Sequence, residues 1–307
     1  MEVITVGPEQ VRSLVSMQDA IQAVREGFLA LGRGEFEMPT RTALRDGQFL
    51  VMSAHHRPTE SAMIKTLSLN FAGRTPAIVG TVVWSDLNRT DHLVADASAV
   101  TALRTGAITG AATDLLARAD ASTCTIIGAG GQSADQVRAV HAVRPLCSLR
   151  VVDRDLQRAE QLAALASSEL GITDVRVSDD ADESVRDADI VCCATTATAP
   201  LFSLESLAPE VHVNAIGAFR PTMRELPDEL LADATVVIDE LEAILEESGE
   251  VLHAIGSGAI TESHLIELSD ALGGGVPART GRTVFKSVGV ALQDWAIAHL
   301  LAQKCLA

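Results

Sequence analysis

The stretch T-C-T-I-I-G-A-G-G-Q-S, residues 123–133, decides the fold. It begins as a short apolar, β-branched run, which is typical of a buried strand, and the run stops at glycines. A helix-like pattern follows, and the acid Asp153 ends the next apolar run, L-R-V-V-D. This order of strand, glycine-rich turn, helix and acid predicts the first βαβ unit of a dinucleotide-binding domain.

The residues of this turn are the types that a pyrophosphate site needs. Gly128 permits the tight turn, Gly130 lets the backbone approach the pyrophosphate, and Ser133 replaces the usual third glycine with another small residue. The helix that follows offers free N–H groups and its dipole to the phosphates. The predicted cofactor-binding residues are Gly128, Gly130, Gly131, Gln132, Ser133, Asp153, Arg154, Thr195 and Lys286.

The residue at the end of the second strand bears on the choice of cofactor. The Asp153 carboxylate would accept hydrogen bonds from the ribose hydroxyls and repel a 2′-phosphate, which favours NAD(H). Arg154 follows directly, and it either stacks on adenine, meets a phosphate or is a solvated residue at a helix start. NADP(H) therefore stays possible.

The regions on either side of the turn predict two kinds of sheet. Apolar runs alternate with helical patterns from residue 123 to about 240, which predicts a doubly wound parallel sheet. The chain after Glu240 is expected to be helical, and 283–306 is expected to pack back onto the N-terminal domain. In that domain, a helix at 17–34, short alternating segments from 40 to 86 and a helix at about 97–118 predict an antiparallel meander with helices. The predicted class is α/β: a Rossmann-type sheet plus a second, α+β domain.

Composition limits the possible partners. The chain has 307 residues, of which 47% are hydrophobic, and its net charge of −17 argues against nucleic acid or an anionic membrane as partner. Its start does not resemble a signal peptide, and no apolar run approaches the ~20 residues of a membrane span. The five cysteines are an odd number, and Cys124, Cys192 and Cys193 lie in strand-like runs. Reduced thiols in a cytoplasmic protein are expected, without a metal site.

Three cations are candidates for a substrate site. Lys65 is an isolated charge in the apolar segment M-I-K-T-L, and Arg104 lies in the small-residue helical segment A-L-R-T-G-A. Arg41 lies in P-T-R-T. Two guanidiniums that converge on one cleft would suit a carboxylate, because each can bind it in a bidentate way.

Together and in this order, several stretches resemble the ornithine cyclodeaminase/mu-crystallin family. The resemblance implies a homodimer whose substrate and dimerisation domain is 1–115 with 288–307, and whose Rossmann domain is 116–287. It also implies that Arg41 and Arg104 bind the substrate carboxylate, and that Lys65 reaches that carboxylate or the reacting carbon–nitrogen centre. The stretches are P-T-R at 39–41, M-I-K at 63–65, N-F-A-G-R-T-P at 70–76, T-A-L-R-T-G-A at 101–107, I-I-G-A-G-G-Q-S at 126–133, R-P-T-M-R-E-L at 220–226 and T-V-F-K-S-V-G at 283–289.

One position separates the branches of this family. Cyclodeaminases and their alanine dehydrogenase relatives typically have an aspartate two residues after the glycine that matches Gly217, whereas this chain has Phe219. The string G-A-F-R-P-T-M-R-E-L instead resembles the mu-crystallin branch, whose members reduce cyclic ketimines with a nicotinamide cofactor. The acids that follow, Glu225, Asp228 and Glu229, are expected at an exposed helix start.

The resemblance and the residues together predict an NAD(P)H-dependent reductase of a cyclic imino acid, such as 1-pyrroline-2-carboxylate or 1-piperideine-2-carboxylate. Lys65 is the predicted catalytic residue, as proton donor or electrostatic partner, and the alternative is that it only forms a buried ion pair. Phe219 would pack on the ring of the substrate or on the nicotinamide. Two other functions stay open: an amino-acid or opine-type dehydrogenase or cyclodeaminase of the same family, and a binding protein for NAD(P)H and a small molecule without turnover.

Overall fold

The computed structural model describes residues 2–71, 76–276 and 281–306. Residues 72–75 of the stretch N-F-A-G-R-T-P lie outside the described part. The chain divides into two compact units, Met1–Ile108 with Val290–Ala307, and Thr109–Gly289. Each unit has a sheet of its own.

The first unit contains the predicted meander. Its strand order is β1-β7-β6-β5-β4-β2, with β3 paired to β4. The pairs from β4 to β7 are antiparallel, and β1 joins β7 in parallel. The strands are β1 (Val3–Val6), β2 (Phe36–Glu37), β3 (Thr42–Leu44), β4 (Phe49–His56), β5 (Ser61–Leu69), β6 (Ile78–Asp86) and β7 (His92–Asp96).

Three helices begin in the described residues of the N-terminal segment of this unit. They are α1 (Pro8–Leu14), α2 (Met17–Gly32) and α3 (Ala97–Leu116). Helix α2 begins after Ser16, whose side chain accepts a hydrogen bond from the Asp19 N–H. Helix α3 is buried on nearly all sides, which explains its small residues and the lack of an amphipathic pattern.

The second unit is the predicted Rossmann-type domain. Every strand pair in its eight-stranded sheet is parallel, and the order is β10-β9-β8-β11-β12-β15-β13-β14. Its strands are β8 (Thr123–Ile127), β9 (Ser148–Val152), β10 (Asp174–Ser178), β11 (Ile190–Cys193), β12 (His212–Ala215), β13 (Thr235–Ile238), β14 (Leu265–Glu267) and β15 (Thr283–Lys286). Its helices are α4 (Ser133–Val143), α5 (Leu156–Leu170), α6 (Ala181–Ser184), α7 (Asp228–Asp233), α8 (Leu241–Glu247), α9 (Gly249–Gly256) and α10 (Leu268–Asp270).

The order of these strands locates the ligand edge. The chain runs outward from β8 to β9 and β10, then returns to the other side of β8 with β11 and β12. Ligands of such sheets bind at the carboxyl ends of the strands, at this reversal. The glycine-rich turn follows β8 directly, so it lies at that point.

The prediction for the chain after Glu240 was wrong in part. Two further strands, β14 and β15, interrupt the helices, and β15 lies inside the sheet between β12 and β13. Of the elements described after residue 240, α11 (Ala291–Cys305) alone belongs to the first unit, so residues 283–289 do not join that unit as predicted. A four-residue strand of the sequence T-V-F-K is too short for a periodic pattern, so sequence reasoning placed it in the C-terminal helical segment.

The cysteines in the strand-like runs lie in strands, as the sequence predicts. All five cysteines are free, and Cys124, Cys192 and Cys193 are buried in β8 and β11. Within 2–71, 76–276 and 281–306, no cluster of three or more His, Cys, Asp or Glu side chains could hold a metal ion. In the same ranges, no helix has both the length and the apolar character that crossing a membrane requires.

Candidate active site

The glycine-rich turn has the geometry that a dinucleotide requires. Gly128 has a φ of +98°, and a Cβ atom there would lie 2.6 Å from the Ala194 carbonyl oxygen. Ser133 is fully buried, and its Oγ donates to the Gly128 carbonyl at 2.5 Å. A Cβ on Gly130 or Gly131 would meet no atom within 4 Å, so open space adjoins the turn where phosphates would lie. These residues fit a pyrophosphate.

The acid after β9 lies beside this turn. Asp153 accepts hydrogen bonds from the Ala129 N–H at 2.6 Å and from the Asp155 N–H at 2.8 Å. Its carboxylate is therefore held at the carboxyl edge next to the turn, while Arg154 is exposed. Gln132 directly precedes α4, and its side-chain oxygen is buried.

The sequence predicts Glu225 at an exposed helix start, and this prediction is wrong. The side chain of Glu225 is fully buried. One of its oxygens accepts from the Thr195 N–H at 2.6 Å and from Thr195 Oγ1 at 2.8 Å. The other accepts from the N–H groups of Gly217 at 2.9 Å and Ala218 at 3.1 Å. Burial raises the pKa of this carboxyl, and the nearby Glu250 raises it further. The predicted helix start holds for Asp228 and Glu229, which lie in the first turn of α7.

Lys286 lies at the carboxyl end of β15 and is also fully buried. Its Nζ donates to the Ala218 carbonyl at 2.5 Å and pairs with Glu250 at 2.9 Å. The ammonium is therefore engaged inside the protein, beneath the loop that follows β12. Phe219, in that loop, packs partly buried against the core, and the Arg220 guanidinium carbon lies 5.5 Å from the centre of its ring.

The cationic residues of the first unit form a buried cluster. Lys65 Nζ lies 2.7 Å from Asp294 Oδ1, and both side chains are fully buried. Arg104 Nε lies 3.5 Å from the same oxygen, and Arg104 also donates to the Gln293 side chain. Asp294 Oδ2 has no hydrogen-bond partner within the described ranges. Lysine and arginine thus share one oxygen of a single carboxylate.

The environment of Lys65 changes its protonation. Burial lowers the pKa of its ammonium to about 8. Asp294 opposes this effect, whereas the positive charges of Arg104 and Arg41 add to it. The first unit therefore brings the three predicted cations together, with a lysine that can titrate close to neutral pH.

Secondary structure accounts for this convergence. Alternation along β5 points Lys65 to the buried face, while its neighbours Ile64 and Thr66 point outward. Arg104 projects from α3, and α11 begins at Ala291, so Gln293 and Asp294 lie in its first turn.

Sequence reasoning missed Asp294, Gln293 and Glu225. A signal existed for Asp294, since it is an isolated acid in the apolar helix A-L-Q-D-W-A-I-A, just as Lys65 is an isolated cation in an apolar strand. No such signal marks Glu225, which stands in a polar stretch with other acids.

Comparison with known proteins covers almost the whole chain. The ornithine cyclodeaminase/mu-crystallin family model matches residues 3–307. A Delta(1)-pyrroline-2-carboxylate reductase of Bacillus cereus is 33% identical over 99% of this chain and 97% of that protein. The ketimine reductase mu-crystallin of Mus musculus is 30% identical over 95% of this chain and 93% of that protein.

Solved structures agree with the sequence comparison. The Delta(1)-pyrroline-2-carboxylate reductase of Thermococcus litoralis, in complex with NADH and L-proline, has a TM-score of 0.93 and 30% identity, over 99% of this chain and 97% of that one. An archaeal alanine dehydrogenase dimer with bound NAD has a TM-score of 0.91 and 28% identity, over 100% of this chain and 97% of that one. By its motifs, its fold and these matches, the chain belongs to the ornithine cyclodeaminase/mu-crystallin family.

Proposed function

We propose that this protein is an NAD(P)H-dependent reductase of a cyclic imino acid of the 1-pyrroline-2-carboxylate or 1-piperideine-2-carboxylate type. The observation that carries the proposal is the buried Lys65, which Asp294 and two arginines surround in the first unit. The arginines of this cluster can pair with a substrate carboxylate, and the lysine can donate a proton to the nitrogen of a C=N bond. Relatives that match end to end are named as reductases of such imines.

Each residue of the cluster has a role in this chemistry. Arg41 and Arg104 bind the substrate carboxylate, because a guanidinium matches it with two parallel hydrogen bonds. Lys65 gives the proton from Nζ to the imine nitrogen, and for an imine that already carries the proton the neutral Lys65 amine would accept a hydrogen bond from its N–H. Asp294 keeps the lysine protonated near neutral pH. A bound nicotinamide cofactor supplies the hydride that goes to carbon.

The second unit supplies the cofactor residues of this proposal. Gly128, Gly130, Gly131, Gln132 and Ser133 would hold the pyrophosphate, and Thr195 and Phe219 lie farther along the same carboxyl edge. Asp153 would bind the adenosine ribose, which favours NADH, with Arg154 as the phosphate contact if NADPH binds. Phe219 would pack on the nicotinamide or on the substrate ring, in place of the acid that a deaminase needs.

Oxidation of the reduced cofactor tests this proposal. We expect the protein to oxidise NADH with 1-pyrroline-2-carboxylate or 1-piperideine-2-carboxylate, and to prefer NADH to NADPH. Pyruvate with ammonia, 2-oxo acids with methylamine, and ornithine with NAD⁺ are the comparisons in the same assay. Release of ammonia and proline from ornithine would show that the protein is a cyclodeaminase and not a reductase. Tight NADH binding without turnover of any of these substrates would show that it is a binding protein.

The outer face of the first sheet supports a homodimer, in which this unit is the substrate and dimerisation domain. Outward residues of β4, β5 and β6, strands that are described in full, include no Asp, Glu, Lys or Arg. Phe49, Ile64 and Val79 on this face are 46%, 50% and 39% exposed. A sheet face without Asp, Glu, Lys or Arg that exposes large apolar side chains is typical of an interface. We propose a second copy of the chain as its partner, and a relative of the same fold is a dimer.

A charge on this face should dissociate the dimer. In a two-fold dimer, Ile64→Arg places two guanidiniums in one interface, so we expect the dissociation constant to rise at least about 100-fold. Sedimentation velocity of the purified protein measures this change. Leu156→Arg, at a residue of the second unit with a similar 47% exposure, should leave the dimer intact. A monomeric wild type, or an unchanged dimer with Ile64→Arg, would contradict the proposed interface.

The cytoplasm is the proposed location. Free thiols persist in a reducing compartment, and all five cysteines of this chain are free. Cys147 is exposed and would be open to oxidation elsewhere.

A further inference from the structure

The loop after β12 lies where the sheet topology places one half of a dinucleotide. The dinucleotide of a Rossmann sheet crosses the carboxyl edge at the reversal between β8 and β11. Asp153 marks the adenosine side, since it follows β9. The nicotinamide half therefore extends toward β11 and β12, where the connecting loops begin at Ala194 and Ile216.

A single carboxylate ties these two loops together. Glu225 accepts two hydrogen bonds from Thr195, after β11, and two from the backbone of Gly217 and Ala218, after β12. Three of the four donors are backbone N–H groups, and only an acceptor with two free oxygens satisfies all of them. A glutamine would turn its own N–H₂ group toward two of these donors.

Lys286 holds the same loop from another side. It donates to the carbonyl of Ala218, whose N–H is bound by Glu225, so both ends of that residue are fixed. Gly217 packs so closely that a Cβ atom would lie 2.3 Å from the Thr195 backbone and 2.5 Å from Glu225. The loop that carries Phe219 is therefore held by three buried residues, Glu225, Lys286 and Glu250, with the last as counter-ion.

We propose that Glu225 and Lys286 are positioning residues that fix residues 216–219 against the nicotinamide half of the bound cofactor. The inference rests on the proposed function, since it requires a nicotinamide dinucleotide. It also assigns to Lys286 an indirect role, through Ala218, in place of direct contact with the cofactor. The adenosine and pyrophosphate half would be held by the glycine-rich turn and Asp153, none of which donates a hydrogen bond to Glu225 or Lys286.

The affinity ratio of two ligands tests the proposal without turnover. ADP-ribose is NADH without the nicotinamide ring, so comparing their dissociation constants isolates that ring. We expect Glu225→Gln to lower the preference for NADH over ADP-ribose by about 10-fold while ADP-ribose affinity stays within threefold. Glu225→Asp keeps the buried charge, but its side chain is one methylene shorter and reaches the four donors less well. We therefore expect a smaller loss of the preference for NADH over ADP-ribose. Titration calorimetry measures both ligands.

A carboxylate of the same unit provides the matched control. Asp189 accepts from the Ser122 N–H at 2.9 Å, the Thr123 N–H at 3.0 Å and Thr123 Oγ1 at 2.9 Å, at the amino ends of the strands. Asp189→Asn removes similar hydrogen bonds at the opposite edge of the sheet and should leave the affinity ratio unchanged. If Asp189→Asn lowered the affinity ratio as much as Glu225→Gln does, the effect of Glu225 would be one of general stability, and the proposal would be overturned.

Turnover gives a second measurement. We expect Glu225→Gln to lower kcat for imine reduction about 100-fold, because a displaced nicotinamide misaligns the hydride, with a change in imine KM of less than threefold. If the wild-type protein bound NADH more tightly than ADP-ribose and yet reduced no imine, that result would refute the proposed substrate but would leave the affinity test of Glu225 valid. An unchanged affinity ratio in both Glu225 variants, or equal wild-type affinity for the two ligands, would overturn the positioning role.

Discussion

Replacing Lys65 with methionine is expected to lower kcat/KM for imine reduction by about 10²–10⁴-fold, the usual contribution of a positioned proton donor. Methionine fills a similar volume within the buried face of β5 but has no proton to give. The wild type should lose activity as the pH rises through about 8, because Lys65 then loses its proton. Lys65→Met should show no decline at that pH. Stopped-flow measurements of NADH oxidation from pH 6 to 10 follow both effects.

Two further variants separate the possible roles of Lys65. Arginine stays protonated throughout this pH range, so Lys65→Arg keeps the charge but is a poor proton donor. Activity close to the wild type in Lys65→Arg would assign an electrostatic role alone. Thr66→Val, on the outward face of the same strand, should behave like the wild type. An alkaline decline that persists in Lys65→Met would belong to the substrate imine and would contradict the role of Lys65 as the titrating group.

The parts of the fold that the sequence predicted depend on local patterns. The strand, turn and helix around Gly128 follow one another within a dozen residues, and the reason for each residue is local. The meander also has its turn residues and its alternation in one stretch. By contrast, β15 is four residues long, and its place between β12 and β13 depends on pairing with residues about 50 to 70 positions away.

The same distinction explains what was missed in the site. Lys65 and Arg104 stand out because each is a charge in an apolar or small-residue segment. The partner of Lys65 is 229 positions away in the chain, and no local pattern connects the two. The sequence predicts Glu225 at an exposed helix start together with Asp228 and Glu229, and only the folded chain shows the four donors that surround it. Buried charges are determined by tertiary partners, which sequence spacing does not reveal.

Removing the partner of Lys65 should change both the pH profile and stability. Asp294 raises the pKa of Lys65 through its charge and its hydrogen bond. In Asp294→Asn the pKa should therefore fall below about 8, and the alkaline decline in kcat/KM should move to lower pH by the same amount. The variant also leaves a buried ammonium without its counter-ion, which costs about 3–5 kcal/mol in the free energy of unfolding.

The pH dependence of that cost distinguishes a lost ion pair from simple repacking. A buried lysine whose folded-state pKa lies below its unfolded value disfavours the fold most at low pH, where it must carry its charge. The stability lost in Asp294→Asn should thus be largest at pH 6 and should shrink as the pH rises above the lowered pKa. Urea unfolding at pH 6 and pH 9 measures this difference. Replacing both partners, Lys65→Met with Asp294→Leu, should recover part of the stability but none of the activity. Apolar residues can substitute for the buried Lys65–Asp294 pair in the fold but cannot transfer a proton, and Arg104 still loses its contact with Asp294. A loss of stability in Asp294→Asn that is the same at pH 6 and pH 9 would show that Lys65 is not the charge that Asp294 neutralises.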